Sequence, residues 1–106
     1  MNYQKSIKEI TETLRNKYRP EKIILFGSCL TGRVTKNSDV DMLIIKDTNS
    51  PYARRWLEVG RLVRTLKKPL PFEPFILTPK ELKREIKRNL FLKEILEKGK
   101  VLYEEN

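Results

Sequence analysis

Ser38-Asp39-Val40-Asp41-Met42-Leu43-Ile44-Ile45 is the stretch on which the reading of this chain turns. Asp39 and Asp41 are two of only three aspartates in the sequence, and the residues that follow are apolar and β-prone, so the run predicts a strand. On a strand, residues i and i+2 face the same way, roughly 6.6–7 Å apart. Two carboxylates held so close repel, and each resists ionising. A divalent cation, or a pair of cations about 3.5–4 Å apart, turns that liability into a ligand set. Twelve residues upstream, Phe26-Gly27-Ser28 ends another apolar run. A glycine at a strand end lets backbone amides approach a phosphate closely. A phosphate cradle beside a carboxylate pair points to metal-assisted chemistry on a nucleotide.

Working outward, Tyr3, Ile7, Ile10, Leu14 and Tyr18 recur at helical spacing, and Pro20 ends that helix. Lys22 to Phe26 reads as a short buried strand, and residues 28–38 as a loop with one helical turn. Residues 40–46 form the second strand. Ser50 is expected to cap the next helix, with Pro51 at its first helical position. Trp56, Val59, Leu62, Val63 and Leu66 form its apolar stripe, with Trp56 read as core. Phe72 to Leu77 is a third extended run that Pro74 confines to an edge or a bulge. Thr78-Pro79-Lys80-Glu81 is a capping box. Asn89 interrupts the helix it opens, Leu92, Ile95 and Leu96 continue the stripe, and Gly99 stops it. Val101-Leu102-Tyr103 reads as a short strand or a docked tail. The order α-β-β-α-β-α predicts an α/β (α+β) fold with a mixed three- to four-stranded sheet backed by helices.

The 106 residues suit one domain, 1–106, with a single core. No apolar run reaches the roughly 18 residues of a membrane span, and the N-terminus lacks the apolar stretch of a secretory signal. A lone Cys29, read as small and structural, fits a reducing cytoplasm. The absence of histidine removes Ser-His-Asp and Cys-His catalysis and leaves carboxylates, cationic side chains, backbone dipoles and metal. The net charge of +9 suits a solvated, heat-adapted surface and also attraction for an anionic partner. The chain lacks the aromatic stacking series of single-strand nucleic-acid binders, so no specific nucleic acid is expected.

Ile24-Leu25-Phe26-Gly27-Ser28, a loop containing Gly32, and then Ser38-Asp39-Val40-Asp41-Met42-Leu43 together resemble the signature of the nucleotidyltransferase superfamily that includes DNA polymerase β and kanamycin nucleotidyltransferase. The likeness is to its minimal single-domain branch, the MNT proteins, and it runs from the first helix to Tyr103. That family carries a third carboxylate before a Leu-Thr-Pro-x-Glu-Leu helix start. Here Leu77-Thr78-Pro79-Lys80-Glu81-Leu82 fits, and Glu73 stands where Asp is commoner. Thr31 precedes the loop glycine where many relatives carry Arg. The resemblance implies a polymerase β-like core and a transferase that uses Mg²⁺, two ions in all, and ATP. It implies catalytic and metal-binding roles for Asp39, Asp41 and Glu73, and nucleotide contacts from Gly27, Ser28, Arg33 and Ser38, with Lys36 a surface charge nearby. It implies a cytoplasmic antitoxin that adenylylates a tyrosine of a HEPN-type toxin, with self-association left open. Transfer to a small-molecule hydroxyl, or neutralisation of a partner by contact alone, are the competing expectations.

Overall fold

The computed structural model describes residues 3–32, 38–67 and 71–105. Helix α1 (Tyr3–Thr13) runs into a π-helical turn, Leu14–Tyr18, followed by strand β1 (Lys22–Phe26), the short helix α2 (Ser28–Thr31) and strand β2 (Val40–Ile45). Helix α3 (Tyr52–Arg64), strand β3 (Phe72–Leu77), helices α4 (Pro79–Glu85) and α5 (Leu90–Lys98), and strand β4 (Lys100–Glu104) complete the order. The predicted stripe of the first helix is present: Ile7, Ile10, Leu14 and Tyr18 are all buried. Its last turn widens to an i→i+5 pattern, in which the Arg19 amide donates to the Leu14 carbonyl at 2.9 Å. Arg19 takes a left-handed conformation (φ 57°), and the next residue, Pro20, lacks the amide that would prolong the helix.

The four strands form one sheet in the order β3-β2-β1-β4. β1 is antiparallel to both β2 and β4, whereas β2 and β3 are parallel and joined through α3. The sheet is therefore mixed, as the element order predicts, and β3 is an edge strand. An edge strand accommodates the missing donor of Pro74. Alternate strand residues divide between two apolar layers. Ile23, Leu25, Val40, Met42, Ile44 and Ile76 pack with α1 and α3. Ile24, Leu43, Ile45 and Leu77 pack with Leu92 and Ile95 of α5. Strands covered on both faces read as continuous apolar runs, and the sequence of β2 has that character after Asp41.

The ends of the later helices follow the predicted chemistry. The Thr78 hydroxyl accepts from the Glu81 amide at 3.1 Å, and the Glu81 carboxylate accepts from the Thr78 amide at 2.9 Å. Asn89 ends one helix and caps the next, its side-chain oxygen accepting from the Leu92 amide at 3.0 Å. Gly99 stops α5, and a Cβ there would lie 2.5 Å from Ile24 Cγ2, so the glycine lets α5 close down on β1.

Two expectations for α3 need correction. The helix begins one residue later than predicted, with Pro51 rather than Ser50 at the cap and no side-chain capping bond. The Ser50 carbonyl instead accepts from Arg55 Nε at 2.8 Å. Trp56 is not core: it is 47% exposed. The buried positions of α3 are Arg55, Val59 and Val63. Arg55 is drawn inward by Glu81, its Nη1 donating to Oε1 at 2.7 Å and Nη2 to Oε2 at 3.2 Å. With the helix turned to bury Arg55, its neighbour Trp56 lies about 100° round the helix and faces outward.

Candidate active site

Strand parity assembles the site. Asp41 shares its face of β2 with Leu43 and Ile45, and Glu73 shares its face of β3 with Phe75 and Leu77; both faces lie toward α5. Asp41 and Glu73 are register partners on adjacent parallel strands, where neighbouring backbones run about 4.8 Å apart. Phe26, on the same face of β1, is the antiparallel register partner of Asp41. The apolar patterns of β2 and β3 thus give way to acidic groups at one end of the sheet, beside the end of β1.

Gly27 links β1 to α2 with φ 79° and ψ −155°, a region that essentially only glycine occupies. A Cβ at this position would lie 3.1 Å from Asp41 Cγ and would overlap its Oδ2. Glycine is required twice over, by the backbone conformation and by the carboxylate against it. α2 opens immediately afterwards, and amides in the first turn of a helix have no partner within the helix. The turn therefore brings backbone donors and a carboxylate to one place. Cys29 ties α2 to the start of β2, its thiol donating to the Asp39 carbonyl at 3.5 Å, and it packs against the core as a small structural residue.

The electrostatics report the same gathering. The Asp41 carboxyl is pushed above its ordinary value, first by burial, then by Asp39, then by Glu73. Burial pushes up the Cys29 thiol, with the charges of Asp41 and Asp39 adding to it. Asp39 is half-buried just ahead of β2, and Glu73 is exposed. A cleft of about 590 Å³ opens beside Gly27, Thr31, Asp41 and Glu73. Two aromatic residues also line it, Phe26 and Phe91, which meet edge to face at 5.7 Å between ring centres. Tyr52 and Phe75 add to the apolar lining. Phe91 is 56% exposed although it lies on α5. Sequence reasoning passed over it because the buried stripe runs through Leu92 and Ile95; the available signal was an aromatic residue off that stripe.

Of the residues singled out in the sequence, Gly27, Asp41 and Glu73 line one cleft, Asp39 is near enough to Asp41 to raise its carboxyl, and Ser28 follows Gly27 at the start of α2. Ser38, two residues before β2, is buried. Arg33 and Lys36 lie outside the described residues. Among the described residues no three metal-binding side chains are drawn into a preassembled cluster. The donor chemistry nonetheless fits Mg²⁺, which takes hard oxygen ligands and is commonly held by one or two carboxylates together with substrate phosphates.

The Polymerase beta nucleotidyltransferase family model matches residues 8–106. A Methanocaldococcus jannaschii protein named as a protein adenylyltransferase, MJ0604, is 36% identical over 110 residues, spanning 97% of this chain and 100% of that one. The crystal structure of a toxin-antitoxin with AMP-PNP superposes with a TM-score of 0.63 at 23% identity, covering 93% of this chain and 73% of that chain. A Sulfolobus solfataricus protein described as a nucleotidyltransferase superposes with a TM-score of 0.61 at 19% identity, covering 94% and 78%. The chain belongs to the polymerase β nucleotidyltransferase family and is a nucleotidyltransferase. The two crystal structures share its fold.

Proposed function

We propose that residues 1–106 form one Mg²⁺-dependent transferase domain that moves AMP from ATP to a tyrosine of a HEPN-type toxin, acting as its antitoxin in the cytoplasm. The observation that carries the reading is the pairing of Asp41 with Glu73 across β2 and β3, with the Gly27 backbone packed against Asp41. The likeness to a named protein adenylyltransferase supports a protein acceptor, and the fold shared with a toxin-antitoxin supports a toxin as that protein.

In this reading the Gly27–Ser28 turn holds the triphosphate through backbone amides and the Ser28 hydroxyl, and Arg33 and Ser38 add contacts. Asp39 and Asp41 would hold the cation that accompanies the triphosphate, and Glu73 would help to hold a second. Bound Mg²⁺ supplies charge neutralisation at the phosphates and lowers the pKa of the acceptor hydroxyl. The tyrosine oxygen attacks the α-phosphorus in line, the bond to the β-phosphate oxygen breaks, and pyrophosphate leaves. The phenol proton passes to Asp41 or Glu73, the chain having no histidine to take it. Phe26, Tyr52, Phe75 and Phe91 give the cleft a wall suited to a planar ring.

The test is incubation with Mg²⁺ and each α-labelled nucleoside triphosphate, with and without the HEPN protein of the same genome, followed by mass spectrometry of that protein. One AMP on tyrosine per transfer, dependent on ATP and abolished by EDTA, is the expected result. Label on a small molecule alone would replace the protein acceptor. An unmodified HEPN protein in a stable complex would make the chain an inhibitor by contact.

A further inference from the structure

The outer face of α3 carries a feature that nucleotide transfer leaves unused. Trp56 and Leu57 are 47% and 52% exposed. With Gly60, Arg64, Phe72 and Pro74 they surround a groove of about 200 Å³ between α3 and the edge strand β3, room for one large apolar side chain. Gly60 and the buried Val63 are among its lining residues. A Cβ at Gly60 would meet nothing within 4 Å, so no packing inside the described chain requires a glycine there. A glycine in the middle of a helix is destabilising relative to alanine. Its presence removes side-chain bulk between Trp56 and Arg64, one turn away on either side, and keeps the groove open.

The groove, on the α3 side of the sheet, and the carboxylate cleft, on the α5 side, share a lining residue on the edge strand β3. Pro74 lines both, next to Glu73, and Tyr52, which lines the cleft, lies one helical turn before Trp56. The flank is cationic: Arg61 and Arg64 are exposed and make no ion pair among the described residues. A second copy would bring the same cations and another net charge of +9 against this surface, and like charges across an interface cost affinity.

We propose that this groove docks the protein acceptor, taking an apolar side chain from an acidic segment that lies along α3 and the β3 edge and so carries the acceptor hydroxyl to Glu73 and Asp41. The proposal rests on the reading that the acceptor is a protein. The probe is the HEPN protein of the same genome. Its Kd for the wild-type chain, for Trp56→Ala and for Gly60→Leu is measured by calorimetry, beside AMP-PNP binding, Tm and sedimentation of the free chains. Both variants are expected to weaken the complex at least tenfold while AMP-PNP affinity stays within twofold. Gly60→Leu should leave Tm unchanged or higher, separating groove filling from unfolding. Wild-type affinity in the Gly60→Leu chain would overturn the proposal, as would a wild-type chain that does not bind the HEPN protein, or one that forms a dimer which Gly60→Leu dissociates. A HEPN protein that binds through Trp56 and Gly60 yet gains no AMP would leave the docking surface standing and remove the adenylylation reading.

Discussion

At the scale of single residues, Asp41 bears opposing demands. It is half-buried and faces two other carboxylates, so its folded-state pKa lies above the ordinary value. A carboxyl with a raised folded-state pKa favours the fold at low pH, and that contribution is lost as pH rises through the folded value. At neutral pH the charged form therefore strains the metal-free fold. Asp41→Asn should raise the Tm of the metal-free protein at pH 7, with the gain shrinking toward pH 4, as scanning calorimetry at both pH values would show. The same change, or Asp39→Asn, should cut transfer on the order of 10²-fold or more if these groups hold the cation. Glu73→Gln should do likewise while AMP-PNP still binds. Turnover within twofold of wild type in any of the three would remove that residue from the catalytic set.

At the scale of elements, Glu81 has two jobs. It completes the capping box that opens α4, and it is the counterion of Arg55, which α3 buries. One carboxylate thus fixes the start of one helix and the rotation of another. Arg55, chiefly through its hydrogen bonds, holds the Glu81 carboxyl below its ordinary 4.5. The stabilisation is present above that value and is lost as pH falls through the lower folded-state one. Urea unfolding should show stability falling in acid below about pH 4.5, and Glu81→Gln should flatten that fall. At pH 7 Glu81→Gln is expected to cost about 2 kcal/mol, because the buried Arg55 loses its counter-charge and one of the two carboxylate oxygens that accept from it. A stability unchanged by the substitution would mean that the pair does not orient α3.

At the scale of the whole molecule, charge and openness act together. The chain carries 23 cationic and 14 anionic side chains. No helix among the described residues is long and apolar enough to cross a membrane. The carboxylate cleft spans the ends of β1, β2 and β3, and the α3 groove lies at the β3 edge. Net charge of this sign speeds encounter with an acidic partner, and salt with a Debye length of about 10 Å at 0.1 M screens the attraction. Stopped-flow association with the HEPN protein should slow at least about threefold between ~0.05 and ~0.5 M salt while the dissociation rate changes less. An association rate indifferent to salt would show that the excess of lysine and arginine serves solvation alone.

The layout was legible in the sequence because local chemistry specifies it. Hydrophobic spacing marks α1, the apolar runs mark β1 and β2, and Thr78, Asn89 and Gly99 punctuate the later helices. The two-residue spacing of Asp39 and Asp41 and the glycine at the end of β1 were equally plain. What the chain could not declare by itself depends on which segments meet. The parallel register that sets Glu73 against Asp41 arises between strands whose residues lie 32 apart in the chain. The outward turn of Trp56 depends on the ion pair of Arg55 with Glu81, 26 residues away, because helical periodicity gives a stripe but not the partner that selects its centre. Phe91 enters the cleft only because α5 crosses β1 closely enough for its ring to meet Phe26. Propensity and spacing act within a few residues, whereas pairing, rotation and enclosure are settled by contacts that exist only after the chain has folded.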